Sequence, residues 1–199
     1  MKKICFFTGS RSEYHLSKNL IKIFLNTNEF DTKLIVSGSH LSKRFGNTIS
    51  DIVADKIKPS VLIKTNEKFD SAQDITGALS VILKKSNLYL KKDKPDLMVL
   101  VGDRYETFCI GLTCLIMNIP VAHIHGGEVT EGSYDDNFRH ALTKFSHFHF
   151  VSNKTFKRRV IQLGEQPKNV FIVGGLGVDN IKKVKLLSNE YLAKKFKLK

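Results

Sequence analysis

The chain has 199 residues, of which 42% are apolar, and its formal net charge is +13. This length supports one well-buried core and is short for two full domains. The sequence holds no apolar run of about 18 residues that could span a membrane. It begins MKKICFFTGSR, which reaches Gly, Ser and Arg too early for a secretory signal. We therefore predict one cytoplasmic α/β domain without a membrane partner.

Positive charge is concentrated near the carboxyl end. Residues 151–199 hold twelve Lys or Arg against three acidic residues, a net charge of +9. A nucleic-acid-binding patch is one interpretation. We favour a solvated helical face, because no aromatic stacking motif or nucleic-acid module accompanies the charge. The sequence thus predicts no nucleic-acid partner.

Short apolar or β-branched runs alternate with segments of helical periodicity. The candidate strands are residues 4–8, 33–37, 61–63, 97–101, 121–125, 149–152 and 170–173. Helical spacing is shown by Leu16, Leu20, Ile23 and Phe24, and in a longer segment by Ile75, Leu79, Ile82, Leu83 and Leu90. Strands that alternate with helices need right-handed crossovers, which predicts a Rossmann-like, doubly wound parallel sheet.

The last segment of the chain differs from the rest. Residues 186–199 are polar, Lys-rich and weakly helical. We predict that residues 1–185 form the Rossmann-like amino-terminal domain. Residues 186–199 would then connect it to a carboxy-terminal domain that this chain does not contain.

The first candidate strand leads into Thr8-Gly9-Ser10-Arg11. A glycine turn before a helix leaves N–H groups free for an anion, and Arg11 adds a fork-shaped phosphate donor. The stretch lacks the G-x-G-x-x-G and G-x-x-x-x-G-K-S/T fingerprints, so an ordinary capped helix start is the alternative. Gly102-Asp103-Arg104 follows the most apolar strand, where Asp103 is either a helix cap with a solvent ion pair or a ligand-site residue.

Histidines and carboxylates mark two further junctions. In an extended strand, His123 and His125 share a face, as metal ligands or acid/base groups would. The sequence shows no second cluster at metal-ligand spacing, and Cys5, Cys109 and Cys114 stand in apolar contexts. We therefore expect no metal and three reduced core thiols. His147 and His149 are interpreted as sheet-end packing. Asp135 and Asp136 precede an apolar helical pattern and are either helix caps or cleft acids.

Taken in order, these motifs resemble one family. The matching stretches are residues 8–11, 102–104, 123–128, 135–140, 162–165 and 173–177. They are similar to the hydrolysing UDP-N-acetylglucosamine 2-epimerases of sialic-acid biosynthesis, over residues 2–185. The resemblance implies the first half of a two-domain, glycosyltransferase-B-like enzyme whose second half holds most of the nucleotide. It also implies a nucleotide-sugar substrate, a homo-oligomeric full-length form, and conversion of UDP-N-acetylglucosamine and water to N-acetylmannosamine and UDP without any cofactor.

The resemblance also implies roles for single residues. Asp103 matches an essential carboxylate, and Arg11 and Arg104 match residues that contact substrate or diphosphate. Asp135 matches a second essential acid, with Asp136 as the alternative register. Many members have Glu at the position of His125, so His125 or Glu128 is the expected proton donor, and Arg139 is expected to bind substrate. The alternatives are the same reaction on UDP-N,N'-diacetylbacillosamine in the legionaminic-acid route, a glycosyltransferase-B-type sugar-binding domain, and an inactive fragment.

Overall fold

A computed structural model describes residues 1–65, 70–183 and 186–197. Its seven strands form one parallel sheet in the order β3-β2-β1-β4-β5-β6-β7. The strands are β1 (Lys2–Thr8), β2 (Phe30–Ser37), β3 (Val61–Ile63), β4 (Leu97–Val101), β5 (Val121–Ile124), β6 (Phe148–Val151) and β7 (Val170–Ile172). All seven candidate strands are therefore confirmed, and so is the doubly wound parallel fold.

Helices connect the strands. They are α1 (Arg11–Leu25), α2 (Ile49–Ala54), α3 (Ala72–Lys92), α4 (Tyr105–Ile116), α5 (Asp135–Phe145), α6 (Lys154–Gln162), α7 (Leu176–Lys183) and α8 (Asn189–Phe196). The helix α1 begins with a capping box, in which Ser10 and Glu13 each bond the other's backbone N–H. The alternative of a capped helix start is thus confirmed there. One residue of the predicted apolar face is wrong: Ile23 is 61% exposed, because the buried stripe runs through Tyr14, Ser17 and Ile21.

Both faces of the sheet are packed, as the uniformly apolar β4 predicts. On one face, Met98 and Leu100 lie in a cluster with side chains of α3, α4 and α5. On the other face, Val99 and Val101 pack with side chains of α1. Because neighbouring residues of a strand point to opposite faces, a strand covered on both sides is apolar throughout. The three cysteines are buried and form no disulfide.

The strand order places a crevice at one edge of the sheet. The chain runs from β1 outward to β3 and then returns to β4 on the other side of β1. At such a switch point the loops after β1 and β4 separate, and ligands of open α/β sheets bind there, beyond the carboxyl ends of the strands. No helix of the described residues is long and apolar enough to cross a membrane.

The last part of the chain returns toward the first helix. The Asn180 side chain of α7 accepts a hydrogen bond from Asn19 (2.5 Å) and donates one to the His15 carbonyl (2.6 Å), both on α1. The tail then forms the short helix α8, as its weak helical pattern indicates. The predicted boundary at residue 185 lies outside the described residues.

Candidate active site

A cleft of about 380 Å³ opens at the switch point, between the loops that follow β1, β4 and β5. The ionisable side chains that line it are Glu13, Asp103, Arg104, His125, Glu128, Asp135 and Arg139. Six of the eight site residues expected from the sequence therefore meet in one cleft. The two that do not line it are Arg11 and Asp136.

The guanidinium of Arg139 connects the loop after β4 to the loop after β5. Arg139 projects from α5, is 6% exposed, and donates through Nη2 to Asp103 Oδ2 and to Thr130 Oγ1 (2.9 Å). Its Nη1 donates to the backbone carbonyl of His125 (2.9 Å) and lies 3.6 Å from Glu128 Oε2. Arg139 thus holds the cleft carboxylates in place from behind.

Asp103 is not a helix cap. The first turn of α4 is preceded by Arg104, and no side chain caps it. Asp103 instead pairs with Arg139, 36 positions away, and accepts a long hydrogen bond from Thr130 (3.5 Å). Burial raises the pKa of Asp103 above its ordinary value, and the nearby charge of Asp135 raises it further. The positive charge of Arg139 acts in the opposite direction but does not cancel the rise. A carboxylate with a raised pKa in a cleft is suited to taking up and releasing a proton.

His125 adopts a left-handed backbone conformation, with φ of +68°. Three contacts fix it: its N–H donates to the Phe150 carbonyl (3.0 Å), its own carbonyl accepts from Arg139, and its Nδ1 lies 2.6 Å from Glu128 Oε1. Such a conformation is costly for a residue other than glycine and is found where the surrounding structure enforces it. The fixed turn directs the imidazole to the cleft wall.

The expectation that His123 and His125 share a face is wrong. The strand β5 ends at Ile124, so the alternation of side chains stops before His125. His123 is fully buried and its Nε2 donates to the Gly102 carbonyl (2.7 Å), which ties β5 to the loop that carries Asp103. Burial lowers the pKa of His123 to about 4, so the ring is neutral. His123 is part of the support behind the cleft.

Asp135 and Asp136 are not helix caps either, because Tyr134 precedes α5 and no side chain caps that helix. Asp135 lines the cleft and accepts a hydrogen bond from Ser133 Oγ (2.7 Å). Asp136 accepts from the Thr130 N–H (3.2 Å) and lies 3.4 Å from His140 Nε2. Of the two registers that the sequence left open, the geometry brings Asp135 to the cleft.

The prediction of an anion site before α1 is wrong for two N–H groups, because a side chain of the protein already occupies them. The N–H groups of Gly9 and Ser10 both donate to Glu13 Oε2, at 2.7 and 3.0 Å. The start of α1 therefore carries its own carboxylate where a phosphate was expected. Arg11 is exposed, and among the described residues it has no hydrogen-bond or ion-pair partner.

Sequence reasoning missed a pair of buried glutamates under the cleft. Glu106 binds Arg104 through two hydrogen bonds, at 3.1 and 3.2 Å, and Thr107 donates to Glu13 Oε1 (2.8 Å). Burial, with the nearby charge of Glu106, raises the pKa of Glu13 to about 7. The only sequence signals were the positions of Glu13 and Glu106 just after two strands, since Glu13 and its partner Thr107 lie 94 positions apart.

Within the described ranges, no group of three or more His, Cys, Asp or Glu side chains is arranged to hold a metal ion. His149 is buried against Glu165 (3.2 Å), and His147 accepts from the Val121 N–H (3.4 Å). Both lie at the sheet, away from the cleft lining. The cleft itself offers carboxylates, an imidazole and guanidinium groups, which are the side chains of proton transfer and of anion stabilisation.

The comparison with known protein families identifies the chain. The family model described as UDP-N-acetylglucosamine 2-epimerase matches residues 23–199. The chain belongs to this family. The match includes the loops that carry Asp103, His125 and Asp135.

Curated members of the epimerase family align along almost the whole chain. The GDP/UDP-N,N'-diacetylbacillosamine 2-epimerase (hydrolyzing) of Campylobacter jejuni is 37% identical, over 100% of this chain and 51% of its own length. The polysialic acid biosynthesis protein P7 of Escherichia coli is also 37% identical, over 98% of this chain and 50% of its own length. The chain therefore spans about half the length of the curated relatives it matches.

A solved structure confirms the fold of this half. The UDP-GlcNAc 2-epimerase of Neisseria meningitidis, crystallised with UDP-GlcNAc, superimposes with a TM-score of 0.79. The identity is 18%, and the alignment covers 100% of this chain and 54% of the other. The chain thus has the fold of one Rossmann-like half of a glycosyltransferase-B-like architecture.

Proposed function

We propose that the chain is the amino-terminal half of a hydrolysing nucleotide-sugar 2-epimerase. In the proposed reaction a base removes the proton at C2 of a UDP-linked 2-acetamido sugar. The C2–H electron pair forms the C1=C2 bond, and the C1–O bond breaks as UDP leaves. Water then adds its oxygen to C1 and a proton to C2 from the opposite face, which yields the free 2-epimer.

One observation carries this proposal: Asp103, His125 and Asp135 line a single cleft at the switch point, although Asp103 follows β4 and the other two lie between β5 and α5. The first step needs a base at C2, and the second needs an acid at C2 and a base for the water that attacks C1. Two carboxyls and an imidazole satisfy that need. The raised pKa of Asp103 supports its role as one of these proton-transfer groups.

The charges of the cleft indicate how contacts with the nucleotide would be divided between this domain and a second one. Four acidic side chains line the cleft against two arginines, and Arg139 is already paired with Asp103. This wall therefore has little free positive charge for a diphosphate. Arg104, which borders the cleft, and the exposed Arg11 are the groups proposed to contact the leaving UDP. Most of the nucleotide would be held by a second domain, reached through the connector proposed for residues 186–199.

We propose UDP-N-acetylglucosamine as the substrate, with N-acetylmannosamine as the product for sialic-acid synthesis. The second candidate is UDP-N,N'-diacetylbacillosamine. It is favoured by the name of the 37% identical Campylobacter relative. The chemistry at C1 and C2 is the same for both sugars.

The test joins residues 1–199 to the carboxy-terminal half of the Campylobacter relative, a chimera called here the joined protein. Each candidate substrate is incubated with it, and UDP and free sugar are quantified. We expect equal amounts of UDP and of a free sugar with inverted C2. Transfer of the sugar to an acceptor would support the glycosyltransferase alternative, and no UDP release from either substrate would refute the proposal.

A further inference from the structure

The half-buried ring of His125 is paired with a glutamate. Among the described residues, one other histidine, the buried His149, is paired in this way. Its Nδ1 lies 2.6 Å from Glu128 Oε1. An ionised carboxylate can only accept a hydrogen bond, so the proton of this pair belongs to Nδ1. The other nitrogen, Nε2, is buried and has no hydrogen-bond partner among the described residues.

Glu128 is itself held on both oxygens. Ser152, from the loop after β6, donates to Oε1 (3.1 Å), and Arg139 Nη1 lies 3.6 Å from Oε2. Burial acts to raise the pKa of Glu128, but the contacts with His125, the hydrogen bond from Ser152 and the charge of Arg139 together outweigh it, and the pKa is lowered. The carboxylate is therefore ionised, and its orientation is fixed by two further side chains.

The backbone contacts of His125 complete the arrangement. Its N–H, its carbonyl and its Nδ1 are all bound, and its φ is +68°. Only Nε2 remains unpaired, on a side chain that lines the cleft. A buried polar atom without a partner is rare in folded proteins and calls for a functional explanation.

We propose that Glu128 and Ser152 are positioning residues that hold His125 in the Nδ1–H tautomer, so that Nε2 keeps its lone pair and is the proton acceptor of the reaction. This inference rests on the proposed function. In the first step the Nε2 lone pair takes the proton from C2, while the C2–H electrons form the C1=C2 bond and UDP departs with the C1–O pair. Glu128 stabilises the imidazolium and does not contact the sugar. Of the two proton-transfer candidates that the sequence left open, His125 is thus the catalytic one.

The arrangement follows a general rule for histidines in functional sites. The nitrogen that is protonated is set by the hydrogen bond that the other nitrogen makes, usually to a carboxylate or a carbonyl. Without Glu128, the proton of a neutral imidazole can sit on either nitrogen, and a fraction of molecules would present Nε2–H, which cannot accept. Ser152 acts on His125 indirectly, because its hydrogen bond limits the orientations that Glu128 can take.

The test is a long-range ¹H–¹⁵N correlation spectrum of the 199-residue chain labelled with ¹⁵N-histidine, recorded at about pH 8. The signals of His125 are assigned by their loss in His125→Gln. We expect the wild-type chain to show a protonated Nδ1 and an unprotonated Nε2 for His125. A protonated Nε2 in the wild-type chain would overturn the proposal without any variant.

Variants test the roles of the two positioning residues. Glu128→Gln and Glu128→Ala should move both His125 nitrogen signals toward the average of the two tautomers, and Ser152→Ala should move them part of the way. Unchanged signals in both Glu128 variants would contradict the proposal. Glu165→Gln is the matched control: it alters the environment of His149, which pairs with Glu165, and should leave His125 unchanged.

A kinetic measurement separates positioning from folding. In the joined protein, Glu128→Gln should lower kcat at least tenfold with KM changed less than threefold, since Glu128 does not touch the sugar. A tenfold rise in KM with an unchanged kcat would contradict the assigned role. The tautomer is read without substrate, so a wrong tautomer refutes this inference alone, whereas a correct tautomer with no UDP release refutes the proposed reaction.

Discussion

Arg139 on α5 donates a hydrogen bond to Asp103 at the end of β4, and the two residues are 36 positions apart in the chain. The same guanidinium contacts Thr130 and the His125 carbonyl. Because Arg139 is 6% exposed, its charge has lost most of its hydration and depends on these partners. The position of Asp103 in the cleft is therefore set by packing of α5 against the sheet, and it does not depend on substrate.

Replacing Arg139 by Ala should destabilise the chain by about 3–5 kcal/mol, since it leaves the Asp103 carboxylate and the His125 carbonyl without their donors. Urea denaturation followed by circular dichroism measures this loss. The matched control is Arg158→Ala, which removes an exposed arginine of α6 and should change stability by less than about 0.5 kcal/mol. Equal free energies of unfolding for the two variants would show that the Arg139 contacts do not stabilise the fold.

Asp103→Asn should separate catalysis from stability. In the joined protein we expect turnover to fall by about 100- to 10,000-fold, as for other groups that transfer or orient a proton. The free energy of unfolding should fall by only about 1–2 kcal/mol, because Asn keeps the shape and Arg139 retains Glu128 nearby. Turnover within threefold of wild type, together with a lower melting temperature, would mean that Asp103 is structural.

Glu13 should make the stability of the chain depend on pH. Its pKa is about 7 in the folded state, above the ordinary value of 4.5, so the folded state holds the proton more tightly. The contribution of this proton is complete below about pH 4.5 and is lost as pH rises through about 7. Between pH 5 and pH 8 the wild type should therefore lose roughly 2–3 kcal/mol relative to Glu13→Gln.

The comparison with Glu13→Gln isolates this one group. The pKa of His40 and that of His123 are each lowered by burial to about 4, so these rings favour folding at higher pH, in the opposite sense. Both histidines are present in the wild type and in the variant, and their effect cancels in the difference. Glu131→Gln, at an exposed glutamate, is the control. A difference between wild type and Glu13→Gln that stays constant with pH would refute the raised pKa.

The 199-residue chain alone should bind UDP weakly, with a dissociation constant well above the micromolar range. The cleft lining carries four acidic side chains and only two arginines, and the N–H groups of Gly9 and Ser10 are occupied by Glu13. It should also release no UDP at an enzymatic rate, because one wall cannot hold the sugar in a reactive geometry. Isothermal titration calorimetry checks the affinity. Micromolar binding would contradict the division of the nucleotide site between two domains.

The sequence predicts the sheet well because each strand carries its own signal. The run Leu97–Val101 is apolar throughout, and its predicted and observed bounds agree. The sequence also places Asp103, His125 and Asp135 at one edge, since parallel strands end there together. It could not predict the contact between Glu13 and Thr107, which are 94 positions apart, or the turn at His125 that separates it from His123. Those features depend on tertiary packing, which no local pattern encodes.

Deuterium incorporation at C2 tests the central claim most directly. The joined protein is incubated with UDP-N-acetylglucosamine, and in parallel with UDP-N,N'-diacetylbacillosamine, in D₂O, and the free sugar is examined by mass spectrometry and proton NMR. Removal of the C2 proton and its replacement from solvent predict one deuterium at C2 of an inverted product, with one UDP released per sugar. Free or transferred sugar that keeps its original C2 proton would contradict the account.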